Sequence, residues 1–373
     1  MIDWQKKLLV LLLFTGMFGA VGYAQDDAQF TLFPWATSYY NAGGIGEQNN
    51  TLCFTAIYNN KYVGWKDIYT VNGVDSSNKT APQDFLFNME SYLKKLHGSI
   101  GISVVGDWLG FYENVGVKLG YAYKLRIGGG HLGIGAQLSL FNQKISSSSF
   151  RPIESGDPVL GGLDNSTLDM DFSFGLLYTT DQWYVGAGLT NIAGALDKDQ
   201  KLRLTGDRGT QRSSHLYLHG GYTWIIPANP NWELLPQTML KMSYSPVPKM
   251  DENGNFVLDS KGNYMSKVKF NVVQWDVMLL ARYNGVFWGG LGYRLQDAVS
   301  VIFGARPFYN SSNIYLKGLD AGLSYSFTAN KLGYRINRSF GDIEVMVRYC
   351  FDIYKPEIFS GYGSTRSIYK NQY

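Results

Sequence analysis

Between Val115 and Ile127 the chain alternates with a period of two, and this alternation limits what it can fold into. Val115, Val117, Leu119, Tyr121, Tyr123, Leu125 and Ile127 fall on one face. Asn114, Gly116, Lys118, Gly120, Ala122, Lys124 and Arg126 fall on the other. A strand sends successive side chains to opposite sides, so this one has an apolar face and a polar or small one. It also exceeds the ~9–11 residues that a tilted strand needs to cross a hydrocarbon layer. The pattern recurs in Leu168, Met170, Phe172, Phe174 and Leu176, in Leu319 to Phe327, and in Ile343, Val345, Val347, Tyr349 and Phe351.

Fourteen such segments are legible. They start near Thr51, Gln83, Gly98, Glu113, His131, Leu168, Gln182, Ser214, Trp232, Lys267, Val286, Ala298, Gly318 and Asp342. The ninth is the weakest, because Pro236 breaks it. An even number suits a closed antiparallel barrel with both ends of the chain on one side. Connection lengths sort by parity as such a barrel requires. Lys61 to Pro82, Ser146 to Thr167, Asn191 to Ser213 and Pro246 to Ser266 are long odd-numbered connections. Gly128 to Gly130, Thr180-Asp181, Pro227 to Asn231 and Tyr283 to Gly285 are brief even-numbered ones. Among the odd-numbered connections Thr328 to Gly341 is intermediate and the two around Asp107 and Gln296 are tight, and Arg306 to Tyr315 is longer than its side should allow. The expected fold is therefore all-β, a transmembrane antiparallel outer-membrane β-barrel of about 14 strands, with long extracellular loops and short periplasmic turns.

The beginning of the chain agrees with export. Lys6 and Lys7 precede an apolar run, Leu8 to Ala20, and Gly22-Tyr23-Ala24 supplies small residues before Gln25. This predicts a signal peptide over 1–24. The run is shorter than the ~20 residues of a spanning helix. No Cys follows the small-residue box, so no lipid anchor is expected there. Beyond it the expected division is a periplasmic lead-in at 25–50, the barrel at 51–351 and a periplasmic tail at 352–373. Tyr 27, Phe 21 and Trp 9 make the chain aromatic-rich, which suits side chains placed at a lipid–water boundary. A net charge of +3 without a basic run gives no reason to expect nucleic acid.

Motifs for chemistry are lacking. His215 and His219 would share a strand face but lie about 13 Å apart along it, too far for one metal. Asp251 to Asn255 and Asp259 to Asn263 resemble calcium-loop fragments without the full ligand pattern, and read as turns flanking a short hairpin. Gly128 to Gly130 reads as a tight turn, since no helix follows it to present N–H groups to a phosphate. No nucleophile elbow and no metalloprotease helix motif is present. No cofactor, no metal and no catalytic residue is expected.

Cys53 and Cys350 fall near the start of the first strand and the end of the last, which are neighbours in a closed barrel. If Leu52, Phe54 and Ala56 face lipid, Cys53 faces inward, and Cys350 does so opposite Tyr349 and Phe351. Close approach at the seam is expected. A disulfide and two unpaired thiols both remain open, because adjacent-strand disulfides strain easily.

Taken together, Gln25-Asp26-Asp27-Ala28-Gln29-Phe30, Tyr39 to Gly43, Ala56 to Trp65 and Leu93 to Gly101 resemble the PorP/SprF family of type IX secretion and gliding-motility outer-membrane proteins. Val117 to Leu125, Asp157-Pro158, Tyr184 to Gly186, Leu189 to Asn191 and Gly289 to Asp297 keep family-like order. The family usually has Pro after the Tyr-Asn near the start, where this chain has Ala42.

The resemblance implies a Bacteroidota outer-membrane component, without enzymatic activity, that binds or anchors secreted cargo bearing a C-terminal sorting domain. It also implies a periplasmic ring lipoprotein and a peptidoglycan-binding protein as partners. The alternative expectation is an outer-membrane channel for a small hydrophobic solute, because Gly133, Gly135 and Ser139 leave room on the inward faces.

Overall fold

The computed structural model describes residues 27–46, 51–65, 67–71, 74–78, 81–110, 112–145, 166–193, 203–205, 213–248, 251, 257, 266–313, 316–328 and 341–352. Fourteen strands form the wall. They are β1 (Thr51–Asn60), β2 (Gln83–Leu93), β3 (Gly98–Leu109), β4 (Tyr112–Ile127), β5 (Gly130–Ile145), β6 (Ser166–Thr179) and β7 (Trp183–Thr190). They continue with β8 (Ser214–Tyr222), β9 (Trp232–Pro248), β10 (Ser266–Tyr283), β11 (Phe287–Arg294), β12 (Ala298–Ala305), β13 (Leu319–Thr328) and β14 (Asp342–Asp352). Each pairs antiparallel with its sequence neighbours, and β1 pairs with β14 from Thr51↔Asp352 to Asn60↔Ile343. The ladder therefore closes on itself, and every strand start read from the alternation lies within about two residues of the observed one.

Alternation fixes which side chains meet lipid. On β1, Thr51, Cys53, Thr55, Ile57 and Asn59 are buried, while the residues between them are not. On β4, Val115, Leu119, Tyr121, Tyr123 and Leu125 are exposed, and Gly116, Lys118 and Ala122, on the alternate positions, are buried. The outward faces thus form an apolar surface fit for a bilayer, and the inward faces are mostly polar or small. Among the described residues, no helix is long and apolar enough to cross a membrane.

Pro236 does not break its strand. It sits in β9 opposite Leu279, and on its other side the pairing with β8 stops at Gly221↔Gln237 and resumes at Trp224↔Leu234. The missing proline N–H leaves a gap in the β8 ladder at Tyr222, while pairing with β10 holds the strand on its other side.

The two ends differ. At the end holding Thr51 and Asp352, called here the near rim, the connections are short turns; Gly128 in one of them takes φ +57, which glycine adopts freely. The connection after Ala305 is longer, and a series of turns from Arg306 to Leu319 folds it. At the far rim most connections are longer, apart from the tight ones after Leu109 and Arg294. The longer ones include a hairpin, Asp67–Val71 with Val74–Asn78, and a short segment, Arg203–Thr205, that pairs with β6. The Asn/Gly-rich stretch from 252 to 263, except Val257, and the leader and tail segments lie outside the described residues.

The lead-in corrects an expectation. Residues 27–46 do not sit beyond the barrel. They lie inside it, every one buried, as two 3-10 turns (Phe33–Ala36 and Ala42–Gly44) around one α-helical turn (Thr37–Tyr40). The physical reason is their composition: Phe30, Leu32, Phe33, Trp35, Tyr39, Tyr40 and Ile45 are too apolar to stay in water when a lumen of matching size stands open.

Candidate functional site

The filled lumen is the site where the most side chains converge. Phe30, Leu32, Phe33, Trp35, Tyr39 and Tyr40 form one apolar cluster with Ile57, Leu86, Val105, Phe141, Tyr217, Met239, Met278, Trp288, Ile302 and Met346 from the wall. Trp35 stacks on Trp288 with ring centroids 4.5 Å apart. Both indole N–H groups donate to Asp320, at 3.3 and 2.8 Å. The lumen at this level is packed like a protein interior.

An irregular segment buried this way needs partners for its backbone, since helix or sheet supplies few of them. The wall provides them. Asn59 Nδ2 donates to the Gln29 carbonyl at 3.1 Å, Gln137 Nε2 to that of Ser38 at 3.0 Å, and Lys118 Nζ to that of Tyr39 at 3.2 Å. Lys124 Nζ donates to the Gly43 carbonyl at 2.9 Å, and Ser99 Oγ to that of Gly46 at 2.8 Å. In the other direction, Glu344 accepts the N–H groups of Thr31 and Leu32, at 2.8 and 2.6 Å, and Glu90 accepts that of Gly46 at 3.0 Å. Lys118 also lies 4.0 Å from the Tyr39 ring centroid, a cation–π contact in a site away from water.

Asn41 is the most fully committed side chain. Its Oδ1 accepts the Gly43 N–H at 2.9 Å and caps the second 3-10 turn. Its Nδ2 donates to the Leu176 carbonyl at 2.8 Å and to His219 Nε2 at 2.9 Å. An amide nitrogen only donates, so His219 Nε2 is the acceptor and carries no proton. Asp27, at the other end of the segment, accepts from Tyr217 at 3.0 Å and from Tyr39. Burial and the nearby Asp27 carboxylate raise the Tyr39 phenol above its ordinary value, and burial raises that of Tyr40.

Glycines make the close fit. Gly133, Gly135, Gly175 and Gly188, on β5, β6 and β7, sit against the backbone of residues 40–43. A Cβ on Gly135 or Gly188 would fall well inside 3.0 Å of a plug carbonyl. The room that Gly133 and Gly135 leave on the inward face, expected as a solute path, is thus taken by Asn41 to Gly43.

The segment also has a direction. Gly46 lies by Ser99 near the near rim, whereas Gln29 meets Asn59 and Asp27 meets Tyr217 in the far half. The chain thus descends the lumen from far to near before joining β1.

Cys53 and Cys350 are direct partners across the β1–β14 seam, with Cα atoms 4.1 Å apart and a disulfide between them. His215 and His219 both face the lumen, but contact different groups: His215 Nδ1 lies 3.9 Å from Asp27 and His219 meets Asn41. Among the described residues, no three His, Cys, Asp or Glu side chains gather as metal ligands would. The lead-in's role was missed in the sequence because its aromatic residues follow neither the strand nor the helix period.

Comparisons add the following. No curated protein matches the chain. Among solved structures it is similar to the toluene transporter TodX of P. putida, at 11% identity over 84% of this chain and 93% of that one, TM-score 0.45. It is also similar to a Pseudomonas aeruginosa FadL homologue, at 14% identity over 82% of this chain and 90% of that one, TM-score 0.39. The toluene transporter TbuX of Ralstonia pickettii gives 11% identity over 91% and 100%, TM-score 0.42. The family model described as type IX secretion system membrane protein PorP/SprF matches residues 22–349, nearly the whole barrel and its plug, and the chain belongs to that family.

Proposed function

We propose that this barrel is a non-enzymatic anchoring component of the type IX machinery in the outer membrane, with its lumen closed by residues 27–46. It holds secreted cargo bearing a C-terminal sorting domain at the far rim. At the near rim it docks periplasmic partners, a ring lipoprotein and a peptidoglycan-binding protein. Family membership carries the assignment to the secretion machinery. The filled lumen supports anchor over channel: residues 40–43 occupy the space beside Gly133, Gly135, Gly175 and Gly188 where a solute would pass. Short turns at one rim and long connections at the other support the sidedness, near rim periplasmic and far rim outside. The loops there suit protein contacts on a rigid scaffold.

Deleting the gene is the test. Secretion or surface display of specific cargo should stop while the outer membrane stays intact, and normal display in the deletion strain refutes the reading. The channel alternative makes the opposite forecast for purified protein in a planar bilayer. Steady conductance or solute flux through the wild-type barrel would favour it.

A further inference from the structure

Strands β9 and β10 run beyond their neighbours at the far rim and leave two strand edges, which the sequence treats differently. β8 reaches only Tyr244 on one side of the pair, and β11 reaches only Asp276 on the other. The ladder between β9 and β10 continues to Pro248↔Ser266. On β9, Pro246 and Pro248 lie opposite Val268 and Ser266. Proline has no N–H, so a proline kept in a ladder sits where its nitrogen faces away from the partner strand. Both prolines therefore face the open β8 side and remove two donors from that edge. Pro236, further down the same strand, obeys the same parity.

On β10 the consequence is reversed. In an antiparallel ladder both members of a non-hydrogen-bonded pair turn their N–H and C=O outward. Ser266 and Val268, partners of the two prolines, thus present both groups to the open β11 side. Where the wall continues, that side is in use: the Leu295 N–H donates to the Trp275 carbonyl at 2.9 Å. The register shift between Ser243 and Tyr244 adds one residue, Asn271, on β10, and this keeps the outward sequence running from Ser266 through Phe270 to Trp275. Ser266 to Gln274 is an edge about 30 Å long. It has no proline and no pairing partner on that side among the described residues.

Folded proteins block such edges because they recruit other strands. Here one edge of the pair is blocked by two prolines, and the shorter free edge of β6 is partly covered by Arg203–Thr205. The third has no partner among the described residues. It carries Lys267 and Lys269, and opposite charges across a strand pair favour pairing while like charges oppose it. We infer that the Ser266–Gln274 edge of β10 binds an extended, acidic segment of a secreted protein by strand addition. This rests on the cargo-anchoring reading and names the surface and the binding mode.

The probe is a synthetic nine-residue peptide alternating Thr and Glu, with a Thr/Lys peptide and an alternately N-methylated Thr/Glu peptide as controls. Binding to purified full-length protein in detergent is read by fluorescence anisotropy. The Thr/Glu peptide should bind about tenfold tighter than the Thr/Lys peptide, and N-methylation should abolish binding. Val268→Pro removes an outward N–H without touching the β9 ladder, and should weaken binding roughly five- to tenfold with the barrel's melting unchanged. Lys267→Glu with Lys269→Glu should invert the peptide preference and serves if the proline variant fails to fold.

No binding, equal binding of the control peptides, or parent-like binding by the variants overturns the inference. So does a dimer of the parent that Val268→Pro dissolves, since a second copy would then occupy the edge. In cells the two readings separate. Normal cargo display without the gene sinks the anchoring function itself. Lost display without the gene but normal display with Val268→Pro sinks only the edge.

Discussion

Replacing Glu344 by alanine tests whether the lumenal segment is a held plug. The carboxyl of Glu344 accepts two consecutive N–H groups, from Thr31 and Leu32, and is itself buried. Alanine leaves both amides inside the barrel without an acceptor. Each unsatisfied buried donor costs about 1–3 kcal/mol, so the seated state loses roughly 2–6 kcal/mol relative to a released one. At about 1.4 kcal/mol per tenfold, the released population rises between about 30-fold and 10⁴-fold.

The assay is thiol labelling of Ser38→Cys in the parent and in the Glu344→Ala background. Position 38 is buried in the middle of the segment, so a maleimide reaches it only after release. When opening and closing are fast, the labelling rate follows the released population. Heat-modifiable migration on a gel reports whether the barrel remains folded. Rates within about threefold of each other, with both barrels folded, fall below the smallest cost and refute the claim that these two bonds hold the plug.

Three further outcomes follow from the same geometry. Gly135→Leu places a side chain where the Ala42 carbonyl lies, so the plug should be expelled and the purified barrel should conduct ions that the parent excludes; a silent, folded variant would count against the close fit. Cys53 and Cys350 should resist thiol reagents in the denatured, unreduced protein and both react after reduction, whereas two reactive thiols without reductant would show the seam unbonded. Tyr39 and Tyr40 keep their phenol protons in the seated plug beyond the ordinary pKa of about 10, whereas in a released segment they ionise there. Their contribution to seating is complete below that pH and declines as pH rises above it, so bilayer conductance should increase from pH 9 to 11, by up to roughly tenfold per unit and phenol, and less so in Tyr39→Phe. A flat profile would refute it.

The wall was readable because its cause is local. A strand in a barrel must present lipid and lumen alternately, and each segment carries that demand in its own residues, as β4 does from Val115 to Ile127. Strand number, closure and the inward facing of Cys53 and Cys350 follow from counting and parity alone. Pro236 misled because one lost donor opens a gap towards β8 without ending a strand that β10 pairs along its whole length.

The plug was not readable for the opposite reason. Its contacts join residues far apart, such as Leu32 to Glu344, 312 positions on, and Asn41 to His219, 178 on. Nothing within residues 27–46 names those partners. Gly133, Gly135, Gly175 and Gly188 look in sequence like room for a solute, and only the tertiary structure decides that the chain's own Asn41 to Gly43 occupy it. Local periodicity therefore determined the barrel, and closure of the barrel, which brings fourteen inward faces around one space, determined what fills it.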